Sequence, residues 1–263
     1  MASLWTVERR DRIAVATFTR PPRNFMSFAA MTELEQVLLG LQEDTSVHVV
    51  VLTGGVPRYF VAHADLDDLR AIGQGQRVEG DPASWGRALA LLGSMPQPTI
   101  AAVNGQAWGG GCELSLACTI RVVAAGGHFA QPEVNVGIIP GAGGTQRLPR
   151  LVGGGRAAEL VLSGRVVGAA EAVAIGLAND VLPDDGFVNA VVAWASPIAS
   201  KPLPALAAAK RAMLDGLSMP LAEGLRLEGQ LFIGLQTGQE ALELQRGALD
   251  RYETASPEAI VEL

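Results

Sequence analysis

The sequence predicts an α/β core followed by a helical region, and three features carry that reading. Short apolar runs rich in β-branched residues recur in the first half of the chain, as in Val47–Thr53 (VHVVVLT) and Pro98–Val103 (PTIAAV). Runs of this kind suit strands covered on both faces, as parallel strands beneath helices are. Helical periodicity separates them, and from Gly155 onward it dominates. Strands alternating with helices and then giving way to helices alone imply a core over residues 1–200 and a helical region over 201–263.

Taken in order, Arg12–Phe18 (RIAVATF) alternates and reads as a strand. After Pro21 and Pro22, Ser27 is placed to cap a helix with Met31, Leu34, Val37, Leu38 and Leu41 on one face. Val47–Thr53 is the next strand. Gly73–Pro82 is polar and glycine-rich, a loop. Trp85–Met95 reads as a helix whose Trp85, Leu89 and Leu92 share a face, read as core packing ahead of a ligand tunnel. Pro98–Val103 forms a strand that Asn104-Gly105 breaks, and Arg121–Ala125 forms another. The later helices are Arg156–Leu162, Ala169–Leu177, Gly186–Ala199, Leu203–Leu214, Leu221–Leu235 and Gln239–Tyr252.

Bulk properties narrow the function classes. With 263 residues, 49% of them hydrophobic, the chain can bury a sizeable core. The formal charge is −7 and the Lys and Arg residues are scattered, so the clustered positive charge that nucleic-acid binding needs is missing. Cys112 and Cys118 lie six apart in one expected helix, which disfavours a disulfide between them, and no CxxC metal spacing occurs. A reducing cytoplasm is the expected compartment. The charged Met1–Arg12 stretch has no apolar segment typical of a secretory signal. No run approaches the roughly 20 apolar residues of a membrane span.

Three segments concentrate chemistry. They are Tyr59–Leu66 (YFVAHADL), Asn104–Leu114 (NGQAWGGGCEL), and His128–Glu133 (HFAQPE) with Val136–Leu148 (VGIIPGAGGTQRL) behind it. In the second, Gly109, Gly110 and Gly111 let a ligand approach the main chain where a helix begins. The helix directs free N–H groups and its positive dipole end at that spot, which suits an oxyanion. Glu113 falls in the first turn beside it, a candidate acid/base, though a first-turn glutamate is also an ordinary dipole partner. Glu133 follows Pro132 and supplies a second carboxylate, or else a turn residue facing water. No GxxxxGK[ST] phosphate loop and no GxSxG nucleophile elbow occur.

Read together, NGxAxGGGCEL, then FAQPE, then GxIPGAGGTQRLPRLVG resemble the enoyl-CoA hydratase branch of the crotonase superfamily in order and spacing. FVAHADL is similar to that family's F-x-A-G-A-D-[IL] segment, and Arg20-Pro21-Pro22-Arg23-Asn24 to its N-terminal Pro/Asn turn. The likeness extends through Ser163-Gly164, Glu171-Ala172 and Gly176-Leu177-Ala178, and weakens after about Leu235. The resemblance implies an α/β spiral of repeated ββα turns with a C-terminal helical oligomerisation region, assembling as a homotrimer or a dimer of trimers. It implies that Glu113 and Glu133 hold a water between them and add it to a trans-2-enoyl-CoA. The N–H groups of Ala64 and Gly110 would form the oxyanion hole for the thioester. Ala62, His63, Asp65, Leu66, Gly109, Pro132 and Gly141 would contact the CoA ester, with the Ala62 main chain near the adenine. No metal and no organic cofactor is implied, CoA being part of the substrate, and neither nucleic acid nor membrane is an expected partner.

Two carboxylates favour hydration over a bare double-bond shift, because hydration needs a positioned water as well as a proton donor. An isomerase or another CoA-enolate reaction on the same scaffold is the nearer alternative, and a non-catalytic CoA-binding or RNA-binding homologue the further one. Three departures from the family pattern stand out. His63 replaces the usual glycine before the oxyanion alanine, Thr119 stands where an aspartate is common, and 232–252 lacks the usual acidic D-x-x-EG pattern. A positive φ at His63 would strain a histidine.

Overall fold

The computed structural model describes residues 3–254. Its first elements are β1 (Trp5–Arg10), β2 (Ile13–Phe18), α1 (Phe28–Gln42), β3 (Val49–Gly54), β4 (Arg58–Val61), α2 (Leu66–Gly73), α3 (Ser84–Ser94), β5 (Thr99–Val103), β6 (Gly105–Trp108) and α4 (Gly110–Ala117). Then follow β7 (Ile120–Ala124), β8 (His128–Ala130), a 3-10 turn (Glu133–Val136), α5 (Gly144–Val152), α6 (Gly154–Ser163), β9 (Val167–Gly168), α7 (Ala169–Ala174), β10 (Asp180–Leu182) and α8 (Phe187–Ala199).

The strands sort into a six-stranded sheet, ordered β1-β2-β3-β5-β7-β10, and a four-stranded sheet, ordered β4-β6-β8-β9. β1 and β2 form an antiparallel hairpin, and from β2 to β10 the large sheet is parallel. β4, β6 and β8 run parallel in the small sheet, and β9 closes it antiparallel. Each pair β3–β4, β5–β6 and β7–β8 therefore gives its first strand to the large sheet and its second to the small one. Three such pairs stacked side by side make the ββα spiral.

β3 shows why a continuous β-branched run marks this core. Val50 and Leu52 enter the cluster that holds Met31, Leu34 and Leu38 of α1 and Leu92 of α3. Val49 and Val51 point the other way, into a cluster with Phe187, Val191, Ala195 and Ala199 of α8. Side chains that alternate between two covered faces must both be apolar, and burying each is worth about 1.5–3 kcal/mol. α1 is capped as its sequence suggests, the Ser27 hydroxyl accepting from Ala30 N at 3.2 Å. Leu89 and Leu92 are core residues, while Trp85 is only partly buried against them.

Two readings of the sequence need correction. Asn104-Gly105 does not end the strand pattern, because β6 begins at Gly105. The Asn104 side chain donates to Gly54 O at 3.0 Å and accepts from Gly54 N at 3.1 Å, so it pins the crossover between the two sheets. The stretch before the polar loop also holds a helix, α2, whose cap is Asp65.

The chain divides into two compact units, the first ending at Leu203 and the second beginning at Pro204. The helices from that boundary onward are α9 (Leu203–Gly216), α10 (Leu221–Gln236) and α11 (Gln239–Thr254), with α10 packed on α11. Leu221, Leu225 and Phe232 of α10 are each more than half exposed. Residues 255–263 of the expected helical region lie outside the described residues. Among the described residues, no helix is long and apolar enough to cross a membrane.

Candidate active site

The small sheet gathers the three segments singled out by sequence. β4, β6 and β8 are parallel neighbours, so their carboxyl ends lie along one edge. β4 runs out into Ala62-His63-Ala64-Asp65, β6 into Gly109-Gly110, and β8 into Gln131-Pro132-Glu133. Carboxyl ends of parallel strands are where α/β folds place their ligands.

α4 starts at this edge because its glycines admit close neighbours. Gly109 has φ 52° and ψ −123°, and a Cβ on it would lie 3.1 Å from Glu133 Oε1. A Cβ on Gly111 would fall 1.9 Å from Val61 O, so strand and helix could not approach as they do. The first helical hydrogen bond runs from Glu113 N to Gly109 O at 2.9 Å, which leaves the Gly110 N–H ahead of the ladder. Ala64 bridges to Met26 through its neighbours, Met26 N donating to His63 O at 2.9 Å and Asp65 N to Met26 O at 2.8 Å. Its own N–H stays outside that bridge. The two residues adjoin, since a Cβ on Gly110 would lie 3.3 Å from Ala64 Cβ.

Both carboxylates stand at the same place. Glu113, 3% exposed, accepts at Oε1 from Ala142 N (2.7 Å) and Gly144 N (2.8 Å). Those donors sit where α5 begins, with Gly143 at φ 104° turning the chain. Burial raises the Glu113 pKa above the ordinary carboxylate value, against the pull of the two N–H groups and of the Arg147 charge. Arg147 is held there by donating to Ala142 O at 2.8 Å. Glu133 opens the 3-10 turn behind Pro132. Burial, joined by the charge of Glu113, pushes it up to about 7 against the pull of its own backbone N–H. Glu133 Oε1 lies against Gly109, the residue that caps the helix carrying Glu113, so both acids stand at one helix start.

The other expected contacts differ in what they have free. The Ala62 N–H donates to Asn24 O, and its carbonyl accepts from Trp108 N and Gln106 Nε2, all at 3.2 Å. Asp65 caps α2 through Asp67 N and Asp68 N and pairs with Arg20 at 2.6 Å. Leu66 is 48% exposed, and Gly141 lies on the exposed loop before α5. His63 is not among the residues with positive φ, so it replaces glycine without backbone strain. Its ring stacks on Phe25, centroids 4.3 Å apart.

Several supports have partners that the sequence reading did not assign. Asn24, fully buried at φ 54°, donates to Phe18 O and Phe60 O at 3.0 Å and accepts from Arg20 N at 2.7 Å, fixing the turn beneath Ala62. Gln131 is 2% exposed beside Glu133. Arg121 donates to Leu177 O, Cys118 O and Ser115 O and thereby closes the carboxyl end of α4. Thr119, in the place of the common aspartate, exchanges hydrogen bonds with Thr99, its N–H donating to Thr99 Oγ1 at 3.0 Å. Cys112 and Cys118 are buried and form no disulfide with each other.

The sequence profile described as enoyl-CoA hydratase/isomerase matches residues 8–257. A probable enoyl-CoA hydratase of Rhizobium meliloti is 37% identical over 238 residues, which span 90% of this chain and 91% of the relative. The 2,3-dehydroadipyl-CoA hydratase of Escherichia coli is 38% identical over 239 residues, 90% and 92% of the two chains. The crystal structure of an enoyl-CoA hydratase from Bacillus anthracis superimposes with a TM-score of 0.86 at 33% identity, covering 95% of this chain and 96% of that one. A match of this extent, on a fold built from the same paired strands, shows that the chain belongs to the enoyl-CoA hydratase/isomerase family.

Proposed function

We propose that this chain catalyses the reversible addition of water to a trans-2-enoyl-CoA, giving the 3-hydroxyacyl-CoA. The observation that carries the reading is the pairing of a buried and a half-buried carboxylate, in unlike environments, beside the adjoining residues Ala64 and Gly110. Glu113 accepts from two backbone donors within reach of the Arg147 charge, and these oppose the upward push of its burial. Glu133, brought to about 7, holds its proton into the neutral range. Environments that differ in this way divide the roles of base and acid.

In the forward direction Glu113 takes a proton from water as its oxygen bonds to the β-carbon. The electron pair of the double bond moves through the α-carbon onto the thioester oxygen, where the Ala64 and Gly110 N–H groups receive the developing charge. Each such donor is worth about 3 kcal/mol of barrier. Glu133 then delivers its proton to the α-carbon. The sequence of steps requires no metal and no organic cofactor.

The CoA portion is assigned to the loop edges around the oxyanion donors, at His63, Asp65 and Leu66 on one side and Gly109, Pro132 and Gly141 on the other. With the Ala62 N–H and carbonyl engaged inside the protein, its share of adenine recognition would come from contact with the chain's edge. The exposed leucines and Phe232 of α10 are assigned to contact with further copies of the chain, in a trimer or a dimer of trimers. Two buried thiols with no disulfide between them accord with a cytoplasmic home.

Disappearance of the conjugated ultraviolet band of crotonyl-CoA on adding the enzyme tests the reading, with a 3-enoyl-CoA assayed beside it. Loss of the band from the 2-enoyl ester is expected. Turnover of the 3-enoyl ester alone would mark a double-bond isomerase, and turnover of neither would remove the proposal.

A further inference from the structure

The chain has four tryptophans, and three of their indole N–H groups are engaged. Trp5 donates to Ala30 O at 3.0 Å, Trp108 to His128 Nδ1 at 2.9 Å and Trp194 to Asp180 Oδ2 at 3.0 Å. The exception is Trp85 in the first turn of α3, whose Nε1 is buried and has no hydrogen-bond partner among the described residues. Buried donors without partners are rare, because each forfeits its hydrogen bond to water. A Cβ on Gly110 would lie 2.7 Å from Trp85 Cζ2, 3.1 Å from Cη2 and 3.3 Å from Ala64 Cβ, so the indole borders both residues assigned to the oxyanion hole. Cζ2 and Nε1 are bonded to the same ring carbon, which puts the N–H beside the edge that meets Gly110. Phe28 packs edge-on to the ring, centroids 6.1 Å apart. The neighbouring hydroxyls are committed elsewhere, Ser84 Oγ donating to Asp81 O at 2.6 Å and Thr32 Oγ1 to Phe28 O at 2.9 Å. Arg87, two residues along α3, is held by Glu35 and Asp81.

We propose that Trp85 determines acyl specificity, its indole N–H receiving a neutral oxygen of the acyl group, so that the preferred esters carry a hydroxyl, ether or keto oxygen a few carbons beyond the double bond. The inference rests on the hydratase reading, which places the thioester oxygen at Ala64 and Gly110 and so starts the acyl chain next to the indole. An indole nitrogen donates and cannot accept, so its partner must supply a lone pair. A carboxylate fits poorly, because one neutral donor does not offset the removal of a full charge from water, and the cation on α3 is already engaged. Nε1 is covered by protein atoms, and an acyl oxygen that parts them breaks no hydrogen bond in doing so. A hydrocarbon chain at the same place leaves the donor unpaired, whereas an oxygen satisfies it. Discrimination of this kind comes from the polar group left without a partner.

Two pairs of esters alike in shape test it, 4-methoxybut-2-enoyl-CoA against trans-2-hexenoyl-CoA and 5-methoxypent-2-enoyl-CoA against trans-2-heptenoyl-CoA. Selectivity is kcat/KM for the ether divided by kcat/KM for the hydrocarbon, and comparing it between wild type and Trp85→Phe cancels the esters' own difference in reactivity. It is expected to be about tenfold lower in Trp85→Phe for at least one pair. A change under about threefold in both pairs overturns the proposal, as does a wild-type preference for an ester ending in a carboxylate. Should Trp85→Phe fail to fold, or wild type hydrate none of these esters, the NMR signals of the four indole N–H groups decide. One signal is expected to move downfield with the saturated ether ester and to stay in place with the saturated hydrocarbon ester. Signals that respond to neither ester, or equally to both, overturn the proposal. A moving signal without hydration removes the hydratase reading and leaves the contact standing.

Discussion

Replacing Glu133 with Gln is expected to stabilise the protein at alkaline pH more than at acid pH. In the folded protein this carboxyl titrates at about 7 against 4.5 for an ordinary glutamate. Its folded value is the higher one, so the folded state binds the proton more tightly than the unfolded state does. The stabilisation this supplies is complete below 4.5 and is lost as pH climbs from there through about 7. At about 1.4 kcal/mol per pH unit, the interval corresponds to roughly 3 kcal/mol. The side chain is partly open to water, and screening brings that to about 1–2 kcal/mol. Glutamine cannot ionise and escapes the loss. Denaturant midpoints of both proteins at pH 5 and pH 8.5, at one protomer concentration, measure it. The variant is expected to gain about 1–2 kcal/mol relative to wild type between those values, or about 2–8 °C in Tm for a chain of this size. A difference that is the same at both pH values, or larger at pH 5, would refute the reasoning.

Further perturbations separate the oxyanion site from its scaffold. A Cβ at Gly110 would lie 2.7 Å from Trp85 Cζ2, on a ring that cannot flex, so Gly110→Ala must displace either the indole or the helix start. Steady-state kinetics on crotonyl-CoA are expected to show kcat lowered about 100-fold, and a change under threefold would contradict the placement of that N–H. Arg121 is buried and serves three carbonyls, so Arg121→Met is expected to cost about 3 kcal/mol in denaturant unfolding. Its kcat, measured at a temperature where the variant is folded, is expected to stay within threefold of wild type, because the residue lies at the far end of α4 from Glu113.

Four strands of the large sheet, β2, β3, β5 and β7, were legible in the sequence because both of their faces are covered, whereas the more exposed β1 and β10 were not read. Val47–Thr53 and Pro98–Val103 had to be apolar throughout, and that is a strong signal. β4, β6 and β8 were not legible, being three or four residues long, too short for alternation to register. β6 was hidden further by Gly105, a residue that reads as a break although here it lets the strand pass Arg58, whose carbonyl would lie 2.0 Å from a Cβ at that position. Glu113 and Glu133 could be named because glycines and a proline flank them and because of the family resemblance. Periodicity could not show that they stand near one another, since their closeness depends on two parallel strands lying side by side. Asn24 and Arg147 lie inside the motifs that carry the family resemblance, but those motifs did not show what they bond. Each is recognisable only by what it bonds across the fold, as when Asn24 joins the end of β2 to β4. The strain that a positive φ would bring to His63 is absent, because its φ is not positive.

Two acids sharing one reaction are the core of the proposed chemistry. The most direct test is the rate of crotonyl-CoA hydration by Glu113→Gln and by Glu133→Gln, with binding of a CoA ester measured alongside. Each variant is expected to lose at least about 100-fold in kcat while ester affinity changes little. Either variant hydrating at a near-normal rate would contradict the division of labour assigned to the pair.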